Sequence, residues 1–152
     1  MQIIWIGTIY PERSIMDQIS EFNINNAKAR IRGLIDLQKR LQSLYGENNY
    51  NVFVFGSYPT VKYDETKSDV DIAVYTPDIE LYKKIALEIE EFFSKKDIST
   101  DLFFIDLSFP APIYLAPLHA QIQFTDYYPQ ELKTFESKCN DALKKIKEKM
   151  AV

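Results

Sequence analysis

The chain has 152 residues, of which 46% are apolar, 14% aromatic and 26% charged. This length suits one domain, expected to span residues 1–152, and the composition excludes intrinsic disorder as the main character. With 18 basic and 22 acidic residues, the net charge is −4. The chain therefore lacks the basic surface of a general nucleic-acid binder, and nucleic acid would require a partner subunit. A single nucleotide could still bind through a metal ion, because the ion supplies the positive charge.

Cysteine and histidine are scarce, with Cys139 and His119 the sole examples. One cysteine excludes an internal disulfide, so we expect a reducing compartment, the cytoplasm. The two residues are also too few for an ordinary zinc site. Cys139 lies on an apolar helical stripe and is expected to be a buried structural thiol. Neither a signal peptide nor a membrane-spanning segment is expected from the hydrophobic pattern.

The glycines exclude two phosphate-binding motifs. Only Gly7, Gly33, Gly46 and Gly56 occur. Neither G-x-G-x-x-G nor G-x-x-x-x-G-K-[ST] can be built from them, so dinucleotide-binding and P-loop sites are excluded.

The first half of the chain predicts two strands around a long helix. Residues 2–6 are a candidate strand, and a helix is expected from Ile24 to a C-terminal stop at Gly46. The apolar run 52–55 predicts a buried strand that ends at Gly56.

The second half alternates between strands and helices. Val70 to Tyr75 predicts a second buried strand, and Thr76 with Pro77 predicts an N-cap followed by the first helical residue. A third buried strand is expected at residues 101–107, a short helix within 115–124, and an amphipathic helix over about 130–150. The strand–helix–strand order favours an α/β or α+β domain with a parallel crossover.

The candidate chemistry lies between the two central strands. Gly56 and Ser57 end the first strand, where the backbone can approach a ligand closely. After eleven intervening residues come Asp69 and Asp71, which project to one side of the next strand because strand side chains alternate. Two close carboxylates repel, and a divalent ion with a preference for oxygen, Mg²⁺ or Mn²⁺, removes that conflict. Taken alone, the Gly56-Ser57 pair also fits an ordinary turn, and the two acids alone also fit the start of a strand at the protein surface.

The combination resembles the minimal nucleotidyltransferases of the DNA polymerase beta superfamily. Their signature, h-G-S followed by D-h-D-h, matches Phe55-Gly56-Ser57 and Asp69-Val70-Asp71-Ile72. The resemblance covers about residues 24–125. It implies a mixed sheet flanked by helices, a nucleoside triphosphate donor, ATP above all, and a divalent metal.

The segment after Ser57 departs from the family pattern. Relatives often carry a small residue, Arg and Gly there, whereas this chain has Tyr58-Pro59-Thr60-Val61-Lys62. The Gly-Ser end could open a phosphate-binding helix, but Thr60 and Val61 are poor helix formers. The predicted nucleotide-binding residues are Gly56, Ser57, Tyr58, Lys62, Lys67 and Ser68, with Lys62 or Lys67 as the basic contact and Tyr58 as a candidate for base stacking.

The resemblance also implies a third carboxylate on the next strand, and two candidates exist. Asp101 and Asp106 are five residues apart, so they face opposite sides of a regular strand. If this strand runs parallel to the one bearing Asp71, Asp101 lies beside the pair and Asp106 about 16 Å further along. Asp101 is favoured, and a bulge that brings Asp106 into place is the alternative.

The resulting hypothesis is a two-metal transfer of a nucleoside monophosphate. Asp69, Asp71 and Asp101 would hold the ions, while Gly56 and Ser57 position the β and γ phosphates. The acceptor would be a hydroxyl of a small molecule or a protein. By resemblance, a helical toxin that the chain modifies with AMP, as an antitoxin, is a candidate partner. The competing hypothesis is a non-catalytic binding or interaction module that retains the fold.

Overall fold

The computed structural model describes residues 2–3 and 15–151. A short strand and a long helix come first, and four further strands with intervening helices follow before a last helix. The elements are β1 (Gln2–Ile3), α1 (Ile15–Tyr45), β2 (Asn51–Phe55), β3 (Val70–Tyr75), α2 (Ile79–Ser94), β4 (Thr100–Phe104), a 3₁₀ turn (Pro112–Tyr114), α3 (Leu115–Leu118), β5 (Ile122–Gln123) and α4 (Gln130–Met150).

The five strands form one mixed sheet in the order β1-β5-β2-β3-β4. β2 runs antiparallel to both β3 and β5, and β5 is antiparallel to β1. β3 and β4, which flank α2 in the chain, are parallel. The α+β class and the parallel crossover predicted from the sequence are confirmed.

Helices cover both faces of this sheet, because alternate strand residues point to opposite sides. On one face, α1 and α2 pack on even-numbered residues such as Val52, Ile72 and Val74. On the other face, α3 and α4 pack on Phe53 and Ala73. Within residues 2–3 and 15–151, no helix combines the length and apolar character needed to cross a membrane.

The helix α1 begins at Ile15, nine residues before the predicted start at Ile24. Its buried stripe starts only at Ala27, so the first turns lack the packing signal on which the prediction relied. The predicted end is confirmed: Gly46, at φ 77°, follows the last helical residue and donates its N–H to the Gln42 carbonyl at 2.9 Å. The predicted strand 2–6 is present at Gln2–Ile3, and residues 4–6 lie outside the described part.

The N-cap of α2 lies two residues after the predicted position, Thr76. Asp78, not Thr76, is the N-cap, since its carboxylate accepts the N–H groups of Glu80 and Leu81 at 3.0 and 3.3 Å. The Thr76 hydroxyl instead donates to the Asn49 carbonyl at 2.8 Å.

Two further boundaries differ from the prediction. β4 ends at Phe104 rather than at residue 107, and it is a half-exposed edge strand rather than a buried one. The region 115–124 is helical only over Leu115–Leu118, because Ile122–Gln123 pairs with β2 and completes the sheet.

Candidate active site

The sequence motifs meet at one end of the central strands of the sheet. β2 ends where its antiparallel neighbour β3 begins, and the parallel strand β4 begins beside it. The register places Phe55 opposite Asp71, and Asp71 opposite Asp101. The Gly56–Ser57 turn and two of the three predicted acids are therefore neighbours in space.

The local electrostatics link all three acids. Asp71 is partly buried, whereas Asp69 and Asp101 are exposed. Burial raises the pKa of the Asp71 carboxyl, and the negative charges of Asp101 and then Asp69 raise it further. Within residues 15–151 the Asp71 carboxylate has no hydrogen-bond donor and no cation beside it. The charge on Asp71 is thus uncompensated by the described protein.

The side chains do not form a compact cage. Among the described residues, no three His, Cys, Asp or Glu side chains are grouped closely enough to hold a metal ion. The donor set nevertheless suits a hard divalent cation, because it consists of carboxylate oxygens only. Burial, and after it the charges of Asp101 and Asp69, raises the pKa of Asp71, and a cation bound among these carboxylates would offset both effects.

Gly56 touches the Asp71 carboxylate. Its φ is 72°, in the left-handed region that side chains rarely adopt. A Cβ placed on Gly56 would lie 3.2 Å from the Asp71 Cγ and would collide with the adjacent carboxylate oxygen. Two features therefore require glycine at position 56: the positive φ of its backbone and the Asp71 carboxylate packed against it.

The segment after Ser57 forms turns rather than the phosphate-binding helix considered from the sequence. Thr60 closes the first turn, donating both its N–H and its hydroxyl to the Ser57 carbonyl at 2.9 and 2.7 Å. The β-branched pair Thr60-Val61 and the missing N–H of Pro59 explain why helix does not continue.

Tyr58 is a core residue, which corrects its interpretation as a stacking surface for a base. It is 4% exposed, and its ring packs edge-on against Tyr63 and Phe93 at 5.0 and 5.6 Å. Burial raises the pKa of its hydroxyl to about 12. A nucleobase has no access to a ring enclosed in this way.

The remaining predicted nucleotide contacts lie on the loop between the motifs. Lys62 and Lys67 are exposed, and Ser68 is half-buried directly before Asp69. The N–H groups of Lys67 and Ser68 both donate to the Asp64 carbonyl, at 3.2 and 2.9 Å. These contacts order the loop and leave the lysine ammonium groups in solvent.

The two candidate third acids differ in position. Asp101 lies in β4 beside Asp71, whereas Asp106 follows the strand end and accepts the Ser108 N–H at 2.8 Å. No bulge brings Asp106 back toward Asp71, because the β3–β4 pairing is continuous from Thr100 to Phe104.

The sequence reasoning missed Arg30. Its guanidinium donates to the carbonyls of Tyr58 and Thr60, both at 2.8 Å, directly after the motif serine. The available signal was its position between Ala27 and Leu34, three and four residues away on the apolar face of α1.

Cys139 and His119, the one cysteine and the one histidine of the sequence, have different surroundings. Cys139 lies on α4 and is fully buried, as predicted. His119 has a side chain that is 64% exposed and lies 3.2 Å from the Glu136 carboxylate.

No curated protein matches the chain significantly. Among solved structures, a variant of the toxin–antitoxin complex MntA–HpeT is 19% identical, covers 76% of this chain and 88% of its own, and has a TM-score of 0.45. A toxin–antitoxin structure with AMP-PNP is 20% identical, covers 78% and 90%, and has the same TM-score. Residues 34–147 match the family model of the nucleotidyltransferase domain. The chain belongs to the nucleotidyltransferase domain family, as its Gly-Ser and Asp-x-Asp motifs predicted.

Proposed function

We propose that this chain transfers a nucleoside monophosphate from a nucleoside triphosphate, ATP above all, to a hydroxyl group. The supporting observation is the register that places Asp71 beside Asp101 at the end of β2, next to the Gly56–Ser57 turn. Family membership supports the reaction class. The uncompensated charge on Asp71 supports a cationic partner at that end of the strands.

In this proposal Asp69, Asp71 and Asp101 hold divalent ions, Mg²⁺ or Mn²⁺. Ions bound there would supply the positive charge that lets carboxylates and phosphates share one site. The Ser57 hydroxyl donates to a phosphate oxygen beyond the α phosphorus, which orients the chain of phosphates. Lys62 and Lys67 add positive charge from the loop.

The covalent step exchanges one phosphorus–oxygen bond for another. The acceptor hydroxyl attacks the α phosphorus in line, the bond to the β-bridging oxygen breaks, and pyrophosphate leaves. The acceptor proton passes to a carboxylate oxygen of Asp101, the third acid of the proposal. Ser57 and the turn around it keep the leaving group opposite the attacking oxygen.

For the acceptor we propose a protein hydroxyl, with a small molecule as the alternative. The net charge of −4 disfavours a nucleic-acid acceptor without a further basic subunit. A helical toxin partner, which this chain would neutralise by adding AMP in the cytoplasm, is the specific form of the proposal.

Since the acceptor is unidentified, nucleotide binding is the first test. Thermal unfolding is measured with a non-hydrolysable ATP analogue, with and without Mg²⁺, for wild type and Asp69→Asn. A ligand at 100 times its Kd adds about 2.7 kcal/mol, roughly 5–10 °C here. We expect a shift that requires Mg²⁺ and is lost in the variant.

The same assay separates the two candidate third acids. Asp101→Asn should reduce the Mg²⁺-dependent shift, whereas Asp106→Asn should leave it intact, because Asp106 lies beyond the end of β4. The reverse result would assign the role to Asp106.

The competing function is a binding module without catalysis. Its support is the absence of a compact carboxylate cage within the described residues, together with the missing helix after Ser57. A wild type that shows no shift with any of the four nucleotides would favour this module over the transferase.

A further inference from the structure

The Arg30 guanidinium lies in an enclosed setting next to the motif loop. Its side chain is only 11% exposed. It stacks on two rings, with its central carbon 4.9 Å from the Tyr63 centroid and 5.8 Å from that of Tyr58. Among the described residues it pairs with the Glu65 carboxylate, which is 4.0 Å away and largely exposed. The ion pair is therefore weak, and carbonyls and aromatic faces compensate most of the charge.

The guanidinium reaches both halves of the nucleotidyltransferase signature. Its two hydrogen bonds, each 2.8 Å, end on the carbonyls of Tyr58 and Thr60, which immediately follow the Gly-Ser half. The Tyr63 ring on which it stacks donates its hydroxyl to the Ser68 carbonyl at 3.2 Å, directly before Asp69. One side chain on α1 thus contacts the exit of β2 and, through Tyr63, the entrance of β3.

This arrangement takes the place of a helix. Residues 56–62 form turns, so the backbone after Ser57 has no ladder of helical hydrogen bonds to fix it. Among the described residues, the carbonyls of Tyr58 and Thr60 have Arg30 as their donor. A planar guanidinium can bridge two carbonyls in a fixed geometry, whereas an ammonium group cannot.

We propose that Arg30 is a positioning residue for nucleotide binding: it holds the loop 57–68 so that Ser57 and Asp69 meet the same triphosphate. This inference rests on the proposed function. The role is positioning rather than catalytic, because the Nε and Nη2 donors of Arg30 bind backbone carbonyls of the loop and its guanidinium stacks on the Tyr63 ring.

The test compares Arg30→Met and Arg30→Lys with a matched control, Gln38→Met. Gln38 lies on the same helix and also donates one side-chain hydrogen bond to a distant carbonyl, that of Phe124, at 2.8 Å. Both Met variants lose side-chain-to-backbone bonds of α1, but only Arg30 contacts the motif loop. Two quantities are measured for folded protein: the Kd of a non-hydrolysable ATP analogue with Mg²⁺, and amide hydrogen exchange across residues 57–68.

We expect Arg30→Met to weaken nucleotide binding at least about tenfold and to accelerate exchange in the loop. Arg30→Lys should recover part of the affinity, since it retains one donor and the charge. Gln38→Met should lower the Tm and leave both the Kd and the loop exchange at wild-type values. If Arg30→Met does not fold, Arg30→Lys carries the comparison.

The outcomes separate this inference from the proposed function. A wild type that binds nucleotide and an Arg30→Met variant with the same Kd would overturn the positioning role alone. Equal losses for Arg30→Met and Gln38→Met would also overturn it, because the effect would then be general destabilisation. A wild type that binds no nucleotide overturns the proposed function, and unchanged loop exchange in the variant then overturns the inference as well.

Discussion

The two ends of the β2–β3 pair contain polar side chains in opposite circumstances. At the end remote from Asp71, Asn51 is fully buried and Thr125 nearly so. The Asn51 amide donates to Gln123 and to the Tyr127 carbonyl, and its oxygen accepts the N–H groups of Val52 and Thr125. Every polar atom of this side chain has a partner, which is the ordinary condition for burial.

At the other end, the Asp71 carboxylate has no donor or cation within residues 15–151, and burial raises its pKa. Such a group costs stability in the charged form. The Asn51 end thus pairs its own polar groups, whereas the Asp71 end leaves a carboxylate without a partner among the described residues, and the proposed function assigns that carboxylate to a bound cation. Substitutions at the two ends should therefore affect different measurements.

The largest expected effect is at Asp71. Asp71→Asn keeps the side-chain shape and removes one ligand charge, so we expect Mg²⁺-dependent nucleotide binding to weaken more than about a hundredfold, or about 2.7 kcal/mol. The free energy of unfolding without ligand should stay the same or rise, because a neutral amide is less costly to bury than a carboxylate and repulsion from Asp101 and Asp69 is relieved. Titration calorimetry and urea unfolding measure the two quantities. Retained nucleotide binding together with a lower free energy of unfolding would show that Asp71 serves stability rather than ligand binding.

The reciprocal change is Asn51→Ala. It leaves several buried partners without hydrogen bonds, so we expect a loss of about 2–4 kcal/mol in the free energy of unfolding. The nucleotide Kd of the folded variant should remain at the wild-type value. Urea denaturation at 25 °C measures the loss, and a cost under about 1 kcal/mol would contradict the comparison.

The contact between Gly56 and Asp71 can be separated from backbone strain. Gly56→Ala and Gly46→Ala both place a side chain at positive φ, 72° and 77°, and this backbone strain alone should cost each variant about 1 kcal/mol of stability. Only the Gly56 variant meets the Asp71 carboxylate, since nothing lies within 4 Å of a Cβ on Gly46. We expect nucleotide binding to weaken about tenfold or more in Gly56→Ala alone. Equal Kd values for the two variants would show that the contact is irrelevant to the site.

The smallest effect concerns Tyr58, which lies beside the motif but belongs to the core. Its hydroxyl ionises at about 12 when folded and near 10 when unfolded, so the unfolded state loses its proton first as the pH rises. Stability is therefore lost between pH 10 and 12, by about 1 kcal/mol at pH 11 from this residue. Tyr58→Phe should remove this part of the stability loss at pH 11, and it should leave both the stability at pH 7 and the nucleotide Kd unchanged. Unfolding at both pH values measures it, and a weakened Kd would restore Tyr58 to the nucleotide site.

Sequence patterns predicted the strands and helices that contain a run or a periodic stripe of apolar residues. Phe53 and Ile72 lie in apolar runs, and the strands β2 and β3 were found there with nearly their true bounds. The first turns of α1, which have no buried stripe before Ala27, were missed. β5 was missed because two residues, Ile122–Gln123, carry no pattern and become a strand only by pairing with β2.

For the site, the local motifs Gly56-Ser57 and Asp69-x-Asp71 were enough to predict the nucleotidyltransferase family, because their spacing can be read directly from the sequence. It also favoured Asp101 over Asp106 once a parallel strand was assumed, but the assumption itself required the sheet. The enclosure of Tyr58 and the contact of Arg30 with the motif loop could be seen only in the folded chain. Tyr58 packs against Phe93 of α2, and Arg30 of α1 reaches carbonyls about thirty residues away, and local sequence patterns carry no information about contacts between residues so far apart in the chain.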